Sequence, residues 1–150
     1  MRILITGSNG FIGKNLKLRL QEDGIEYIDG FERGESAYLL EGLVQKADFI
    51  IHLAGENRPA TSEGFIEGNI HLTQSLCEAV TKRSRPIPII FTSSLQASES
   101  ASPYAKSKQG AEELLGQLSQ SSGSPIAIYR LANVFGKWIR PNYNSVVGTF

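Results

Sequence analysis

Tyr104 and Lys108 lie four positions apart in the stretch SPYAKSK, residues 102–108. On a helix this spacing places a phenol and an ammonium on one face, where their side chains can interact. Free tyrosine, with a pKa of about 10, is a weak base at neutral pH, and a neighbouring positive charge lowers that pKa. The pair is therefore predicted to exchange a proton with a substrate oxygen. The alternative is a solvated surface pair, which is the more common meaning of an isolated Y-x-x-x-K.

Hydroxyl groups precede this pair at the end of a strand-like run, IPIIFTSS. A hydroxyl is needed beside the phenol to orient the substrate oxygen. Ser94 is the first candidate for this role and Ser93 is the second. The alternative is that both serines only cap a turn.

A glycine-rich turn follows the first strand-like run, RILIT, and precedes a helix-like stretch. Glycines at three-residue spacing allow a tight turn, a close approach of backbone N–H groups to a pyrophosphate, and close packing of helix on strand. The helix N-terminus adds the positive end of a dipole. Because of this placement, dinucleotide binding is favoured over a plain glycine-rich turn. The predicted contacts are Gly7, Ser8, Asn9, Gly10, Phe11, Ile12 and Gly13.

Apolar runs alternate with amphipathic stretches along the chain. Strands are predicted at 2–6, 25–31, 48–55, 87–94 and 125–131, and helices at 11–23, 36–47, 63–83 and 104–122. This alternation predicts an α/β fold: a doubly wound parallel sheet (Rossmann) of about five strands. The length fits one dinucleotide-binding domain, residues 1–150.

Composition excludes several other classes of protein. With 15 basic and 15 acidic residues, the chain is not expected to bind nucleic acid, and no apolar run is long enough for a membrane span. The single cysteine, Cys77, is predicted to be a core thiol and fits a cytoplasmic protein. His52 and His71 have no carboxylates or cysteines at metal-site spacing, so no metal is expected.

Five motifs in the order TGSNGFIG, HLAG, TSS, YAKSK and RLANVFG resemble the extended short-chain dehydrogenase/reductase family, also called the NAD-dependent epimerase/dehydratase family. The resemblance covers essentially the whole chain. It implies that Ser94 and Tyr104 handle a sugar carbonyl or hydroxyl while a nicotinamide exchanges hydride, and that Lys108 binds the nicotinamide ribose. It also implies cofactor contacts at Leu53, Ala54, Gly55 and Asn69, and a nucleotide-sugar contact at Asn133. Family members often pair through the helices at 63–83 and 104–122, so a homodimer is expected.

A subgroup of that family is suggested by HLAGENRP, by the short span from Ser94 to Tyr104, and by FGKWIRPNYNSV. These features resemble the bifunctional UDP-sugar 4-reductase/epimerases of capsular or O-antigen polysaccharide synthesis, on the route to UDP-N-acetyl-L-fucosamine. Such proteins reduce a 4-keto-6-deoxy UDP-amino-sugar and carry a cupin domain after the dehydrogenase part. Nothing in residues 1–150 resembles a cupin, and the family's C-terminal half that encloses the sugar is also missing. The chain is therefore expected to be an N-terminal part that turns over little by itself.

Several features leave alternatives open. Arg140 is expected to meet a diphosphate bidentately or to be a solvated loop charge. Trp138 and Tyr143 either stack on a uracil or cover the edge of the core. For the whole chain, the alternative to an oxidoreductase is a non-catalytic dinucleotide-binding or regulatory module, which needs only the glycine turn.

Two departures from the family pattern concern the second strand. Only residues 32–47 separate it from the next strand, enough for one helix, so the sheet is expected to have one strand fewer than usual and the order 2-1-4-5-6 in the family's strand labels. An acidic residue at the end of this strand is typical of NAD sites, whereas a nearby arginine accommodates the 2′-phosphate of NADP. Asp29 lies inside the strand and Arg33 follows it. NADP(H) is therefore favoured through Arg33, NAD(H) remains possible, and a plain solvated Arg33 is the alternative.

Overall fold

The computed structural model describes residues 1–99 and 101–139. The strands are β1 (Arg2–Thr6), β2 (Tyr27–Phe31), β3 (Phe49–His52), β4 (Ile89–Ser94) and β5 (Ile126–Leu131). The helices are α1 (Phe11–Glu22), α2 (Ala37–Lys46), α3 (Glu63–Phe65), a π-helical stretch (Ile66–His71), α4 (Leu72–Thr81), α5 (Gln96–Glu99) and α6 (Pro103–Ser122). None of the helices in these two ranges is long and apolar enough to cross a membrane.

The five strands form one parallel sheet in the order β2-β1-β3-β4-β5. Ile5 is the register partner of Ile51, and Phe91 that of Ile128. Between β2 and β3 the chain forms α2 and no strand. The predicted Rossmann-type sheet is thereby confirmed, including the reduced strand number and the order 2-1-4-5-6 in family labels, because one short crossover has no room for a further strand.

Apolar side chains fill both faces of the sheet, as expected for strands that alternate with helices. On one face, Leu4, Ile50 and Phe91 pack with the buried residues of α2, α4 and α6. On the other face, Ile3, Ile5 and Ile51 pack with Leu16 and Leu20 of α1, together with further partly buried side chains. The sheet is therefore doubly wound, with helices on both faces, and the loops that follow the strands lie at its carboxyl edge.

The helical region predicted at 63–83 is interrupted in the structure. A π-helical stretch, Ile66–His71, separates α3 from α4, and π-helical turns occur frequently at functional sites. A Cβ on Gly68 would lie 2.7 Å from the Cβ of Glu56, so the loop after β3 approaches this helix more closely than any side chain would allow. Hydrophobic periodicity predicted a continuous helix here and did not predict the π-helical stretch.

The helix that carries Tyr104 begins with a strong local signal. Ser102 caps α6 by accepting a hydrogen bond from the backbone N–H of Ala105 at 3.1 Å, and Pro103 occupies the first helical position. Gly123, with φ of +72°, ends the helix. These signals place Tyr104 on the first turn of α6, and the packing of α6 brings that turn to the carboxyl edge of β4.

Candidate active site

A cleft of about 1220 Å³ opens at the carboxyl edge of the sheet, where the segments that follow all five strands meet. In α/β sheets, ligands bind at this edge. The predicted site residues that line the cleft are Gly7, Asn9, Gly10, Phe11, Ile12, Gly13, Arg33, Leu53, Gly55, Asn69, Ser94, Tyr104, Lys108 and Asn133. Folding thus brings residues more than 120 positions apart into one site.

Among the described residues, two predicted contacts, Ser8 and Ala54, do not line the cleft. Ser8 is buried, with 2% of its surface exposed, and Ala54 packs behind Gly7. Arg140 lies outside the described residues, as does Tyr143. Trp138 lines the cleft and is 46% exposed, with Lys137 Nζ 4.5 Å from its ring centroid.

The glycine turn, residues 7–13, has no space for side chains at two of its glycines. A Cβ on Gly13 would lie 2.3 Å from the carbonyl oxygen of Gly7, and one on Gly7, whose φ is +72°, would lie 2.8 Å from the Cα of Ala54. After Gly10, α1 begins with no side-chain cap. The first N–H groups of α1 and the positive end of its dipole are therefore available beside the cleft, which suits a phosphate group.

Glu32, the first residue after β2, supports the glycine turn from the neighbouring strand. Its Oε1 accepts hydrogen bonds from Ser8 Oγ at 2.7 Å and from the backbone N–H of Asn9 at 2.8 Å. The backbone N–H of Gly7 donates to the carbonyl of Phe31 at 2.8 Å. The end of β2 thus sets the shape of the turn, a role that the sequence analysis missed; the signal was an acidic residue directly after the strand that pairs with β1.

Ser94 and Tyr104 meet at the cleft from two different elements, the end of β4 and the first turn of α6. Burial raises the pKa of the Tyr104 phenol, and a hydrogen bond with the Ser94 hydroxyl acts in the opposite direction. Ser93, the second candidate, also borders the cleft, but it is only 5% exposed and its buried Oγ has no hydrogen-bond partner among the described residues. Alternation along β4 therefore brings Ser94, and not Ser93, to the phenol.

Lys108 lies one turn after Tyr104 on α6 and is almost fully buried, with 5% of its surface exposed. Its Nζ donates a hydrogen bond to the carbonyl of Thr92 at 2.8 Å and lies 4.5 Å from the ring centroid of Phe91. Burial lowers the pKa of Lys108 to about 8, against the opposing charge of Glu112. The ammonium is therefore held beside β4 at the edge of the cleft, and its charge is sensitive to mildly alkaline pH.

The expected effect of Lys108 on the phenol is not found in this structure. The pKa of Tyr104 is raised, because burial is the largest influence on it and Ser94 provides the opposing hydrogen bond. The ammonium of Lys108 bonds to the Thr92 carbonyl instead. The prediction that Lys108 lowers the tyrosine pKa is therefore wrong for this arrangement of side chains, although both residues line one cleft.

Asn69, in the π-helical stretch, is 2% exposed and is engaged by the protein itself. Its Oδ1 accepts from the backbone N–H of Glu56 at 2.9 Å, and its Nδ2 donates to the carbonyl of Glu56 at 2.9 Å and to Ser107 Oγ at 2.8 Å. This amide joins the loop after β3 to α6. In the site, Asn69 thus connects two segments that border the cleft.

Arg33 and Glu56 form an ion pair between the segments that follow β2 and β3. The Arg33 side chain is 75% exposed, whereas that of Glu56 is 14% exposed. Burial would raise the pKa of Glu56, but hydrogen bonds from Arg33 and from the backbone of Arg58 and Asn57 lower it overall. Glu56 is a second residue that the sequence analysis missed; it directly follows HLAG. Asp29, by contrast, pairs with Arg2 at 3.5 Å inside the sheet.

No group of three or more histidine, cysteine or acidic side chains that could hold a metal ion occurs within residues 1–99 and 101–139. His52 is fully buried at the end of β3 and makes hydrogen bonds through both ring nitrogens. Cys77 is half-buried, and burial raises the pKa of its thiol to about 11.

Comparison with known proteins gives consistent results. The model of the NAD dependent epimerase/dehydratase family matches residues 3–149. The chain is 51% identical, over 150 residues, to UDP-2-acetamido-2,6-beta-L-arabino-hexul-4-ose reductase of Pseudomonas aeruginosa. The matched region is 100% of this chain and 40% of that protein. It thus spans about two fifths of the length of this relative.

Solved structures show the same fold. The capsular polysaccharide assembling protein CapF from Staphylococcus aureus matches with a TM-score of 0.84 and 39% identity, over 99% of this chain and 39% of that one. UDP-glucuronic acid 4-epimerase from Bacillus cereus, in complex with UDP-glucuronic acid and NAD, matches with a TM-score of 0.81 and 24% identity, over 95% of this chain and 60% of that one. By its family match, its cleft and its sheet order, this chain belongs to the NAD dependent epimerase/dehydratase family.

Proposed function

We propose that this chain is the coenzyme-binding part of a NAD(P)-dependent oxidoreductase/epimerase that acts on a nucleotide-activated (UDP-) sugar. The observation that carries this proposal is that Ser94, Tyr104 and Lys108 line the same cleft as the glycine turn. A hydroxyl, a phenol and an ammonium beside a phosphate-binding turn are the groups that carbonyl reduction requires. The family match and the similarity to a UDP-sugar reductase support the same reaction class.

The residues of the cleft fit a nicotinamide dinucleotide. The absence of space for a Cβ at Gly13 and the uncapped start of α1 are features of a pyrophosphate cradle. In this proposal the turn holds the pyrophosphate and Lys108 holds the nicotinamide ribose. When bound, the dinucleotide supplies or accepts the hydride.

The side chains then manage the proton and the substrate oxygen. Ser94 orients the carbonyl oxygen of the sugar by a hydrogen bond. Tyr104 gives its phenolic proton to that oxygen as the carbonyl becomes a hydroxyl, and takes the proton back in the reverse direction. The Ser94 hydroxyl, whose hydrogen bond opposes the rise in the pKa of Tyr104, stabilises the phenolate that remains.

The proposed substrate is a 4-keto-6-deoxy UDP-amino-sugar in the synthesis of a surface polysaccharide, and the named activity of the Pseudomonas aeruginosa relative supports it. NADP(H) is favoured as coenzyme over NAD(H). The supporting feature is the exposed guanidinium of Arg33 at the cleft. Asn133 lines the cleft and is proposed, with Arg140, to contact the nucleotide sugar.

The experiment compares Tyr104→Phe with the unmodified protein at full length, using NADPH and a UDP-4-keto-sugar and following absorbance of the reduced nicotinamide. We expect turnover to fall by about a hundredfold or more while NADPH affinity is retained, since general acid catalysis contributes about 10²–10⁴-fold. Tyr38→Phe, at a tyrosine that is 88% exposed on α2, is the matched control and should not change the rate.

Equal turnover by Tyr104→Phe and wild type would remove the assignment of Tyr104. Binding of NADPH without turnover of any UDP-4-keto-sugar by the wild type would favour the alternative, a non-catalytic dinucleotide-binding module. The two outcomes differ, because the second appears in the unmodified protein.

A further inference from the structure

A buried polar network lies behind the cleft and centres on His52, a residue with no part in the proposed proton transfer. Its ring is 0% exposed and stacks on Phe91 with 5.2 Å between centroids. His52 Nδ1 lies 2.6 Å from Thr6 Oγ1, and His52 Nε2 lies 2.9 Å from Thr73 Oγ1. The three residues Thr6, His52 and Thr73, here called the His52 network, join β1, β3 and α4.

The direction of each hydrogen bond in the His52 network follows from its outer partners. Thr73 Oγ1 donates to the carbonyl of Asn69 at 2.6 Å, so its oxygen is left to accept from His52 Nε2–H. The backbone N–H of Ala54 donates to Thr6 Oγ1 at 3.2 Å, so the Thr6 hydroxyl proton is left for His52 Nδ1. All four bonds are satisfied together when the imidazole is neutral and carries its proton on Nε2.

The charge environment favours the same state. The imidazole is fully buried, and burial, followed by the charge of Lys108 on α6, lowers the pKa of His52 to about 3. From α4 and from β1 the groups that face the ring are the uncharged hydroxyls of Thr73 and Thr6. The imidazole therefore stays neutral across the pH range in which proteins work.

The hydrogen bonds continue from the His52 network to the helix that carries the phenol. Thr73 holds the backbone carbonyl of Asn69, and the side-chain amide of Asn69 donates to Ser107 Oγ at 2.8 Å. Ser107 Oγ donates in turn to the backbone carbonyl of Tyr104 at 2.7 Å. At the other end, Thr6 directly precedes the glycine turn. A series of hydrogen bonds, joined covalently within Asn69 and between Thr6 and Gly7, thus runs from the turn to the backbone of Tyr104.

We propose that His52 is a positioning residue that, as a neutral imidazole protonated on Nε2, fixes the separation between the glycine turn and the first turn of α6. This inference rests on the proposed role of Tyr104 and adds to it the means by which the phenol is placed. A coenzyme held by the glycine turn and a phenol carried by α6 belong to different elements, so their relative position depends on what joins those elements. Misplacement of reacting groups by about 1 Å costs about a hundredfold in rate.

The first test is the protonation state of the imidazole, measured by ¹⁵N NMR of the ring nitrogens in the unmodified chain and in His71→Asn, which removes the other of its two histidines. We expect a protonated Nε2 and an unprotonated Nδ1 for His52, unchanged between pH 8 and pH 5. A proton on Nδ1, or a doubly protonated ring in this range, overturns the inference. This readout needs no coenzyme and no substrate.

The second test asks whether the two ends of the series act as one unit. Thr73→Val and Ser107→Ala are combined in a double-mutant cycle, with NADPH affinity and turnover as readouts. We expect each single variant to lower turnover by about tenfold or more. The double variant should lose little more turnover than the worse single variant, because either substitution by itself removes the hydrogen-bonded link between the turn and α6. Losses that multiply in the double variant overturn the inference.

Controls on the same helix separate positioning from general destabilisation. Thr81 is exposed and its Oγ1 donates to the carbonyl of Cys77 at 2.9 Å, the same local bond that Thr73 makes to Asn69. Thr81→Val should leave turnover within about twofold and its effect should multiply with that of Ser107→Ala. Thr73→Ser keeps the hydroxyl and is expected to restore turnover, even where Thr73→Val does not fold. Loss of activity in Thr73→Ser equal to that in Thr73→Val counts against the inference, whereas a wild type without turnover counts against the proposed function only.

Discussion

The carboxylate of Glu112 holds the guanidinium of Arg130 through two hydrogen bonds, at 3.0 and 2.6 Å, one helical turn beyond Lys108. The Arg130 hydrogen bond is the largest reason that the pKa of Glu112 is lowered, so Glu112 is held in its charged form. Its negative charge in turn opposes the effect of burial on the pKa of Lys108. The Glu112–Arg130 ion pair, which lies outside the cleft, therefore helps to keep Lys108 protonated inside the cleft.

Glu112→Gln is expected to shift the alkaline limit of activity to lower pH. The pKa of Lys108 is about 8, below its ordinary value, so the ammonium is lost as the pH rises through about 8. Removal of the Glu112 charge lowers this pKa further. Turnover at pH 8 should fall severalfold while turnover at pH 6 is unchanged, which a pH–rate profile measures. Glu113→Gln, at the adjacent exposed carboxylate, is the control, and a profile that moves equally in both variants would contradict the prediction.

Gly13→Ala is expected to abolish coenzyme binding. A Cβ at this position would lie 2.3 Å from the Gly7 carbonyl oxygen and 2.7 Å from backbone atoms of Ser8, so the turn has to move. Titration with NADPH measures the loss. Gly42→Ala, in the middle of α2 with nothing within 4 Å of the added carbon, is the matched control. It should keep full binding and raise stability by about 1 kcal/mol, because alanine is the better helix former.

Arg33→Gln and Glu56→Gln are expected to change coenzyme selection in opposite directions. Glu56 competes with a 2′-phosphate for the guanidinium of Arg33. Arg33→Gln should weaken NADPH binding by about tenfold to a hundredfold and leave NADH binding unchanged, since a charge-assisted contact of about 1.5–3 kcal/mol is lost. Glu56→Gln should tighten NADPH. Arg19→Gln, at an exposed arginine of α1 paired with Asp23, is the control. Equal weakening of both coenzymes by Arg33→Gln would exclude a role in selection.

His52→Asn is expected to weaken the acid sensitivity of folding. The folded pKa of about 3 lies below the ordinary value of 6.5, so the unfolded chain binds the proton more readily. The neutral ring therefore contributes stability that is fully present above about pH 6.5 and is lost as the pH falls toward 3. The whole contribution is up to about 5 kcal/mol, at about 1.4 kcal/mol per pH unit.

Urea unfolding at several pH values between 7 and 4 measures this slope. The variant should have lower stability at pH 7 and a smaller loss on acidification. His71→Asn, at the exposed histidine, should keep the slope of the wild type, and an unchanged slope in His52→Asn would contradict the assignment of the neutral buried ring.

Local signals were sufficient for most of the fold. Ser102, Pro103 and Gly123 mark the ends of α6 by capping chemistry, and the short stretch between β2 and β3 left room for one crossover only. Such features depend on neighbours in the chain, so sequence reveals them. The π-helical turn at Ile66–His71 and the short helix α5 were not predicted. The π-helical turn lies against the loop after β3, where Glu56 approaches Gly68, and this tertiary contact is not visible in the sequence.

For the site, the sequence by itself determined which groups are available: three glycines before a helix, a phenol one turn before an ammonium, and a hydroxyl at a strand end. Only the tertiary structure decided how these groups are held. It placed Glu32 against the glycine turn, Glu56 against Arg33 and the neutral His52 between β1 and α4, and it raised rather than lowered the pKa of Tyr104. The physical reason is that pKa values and buried hydrogen bonds depend on burial and on partners distant in sequence, which no local spacing encodes.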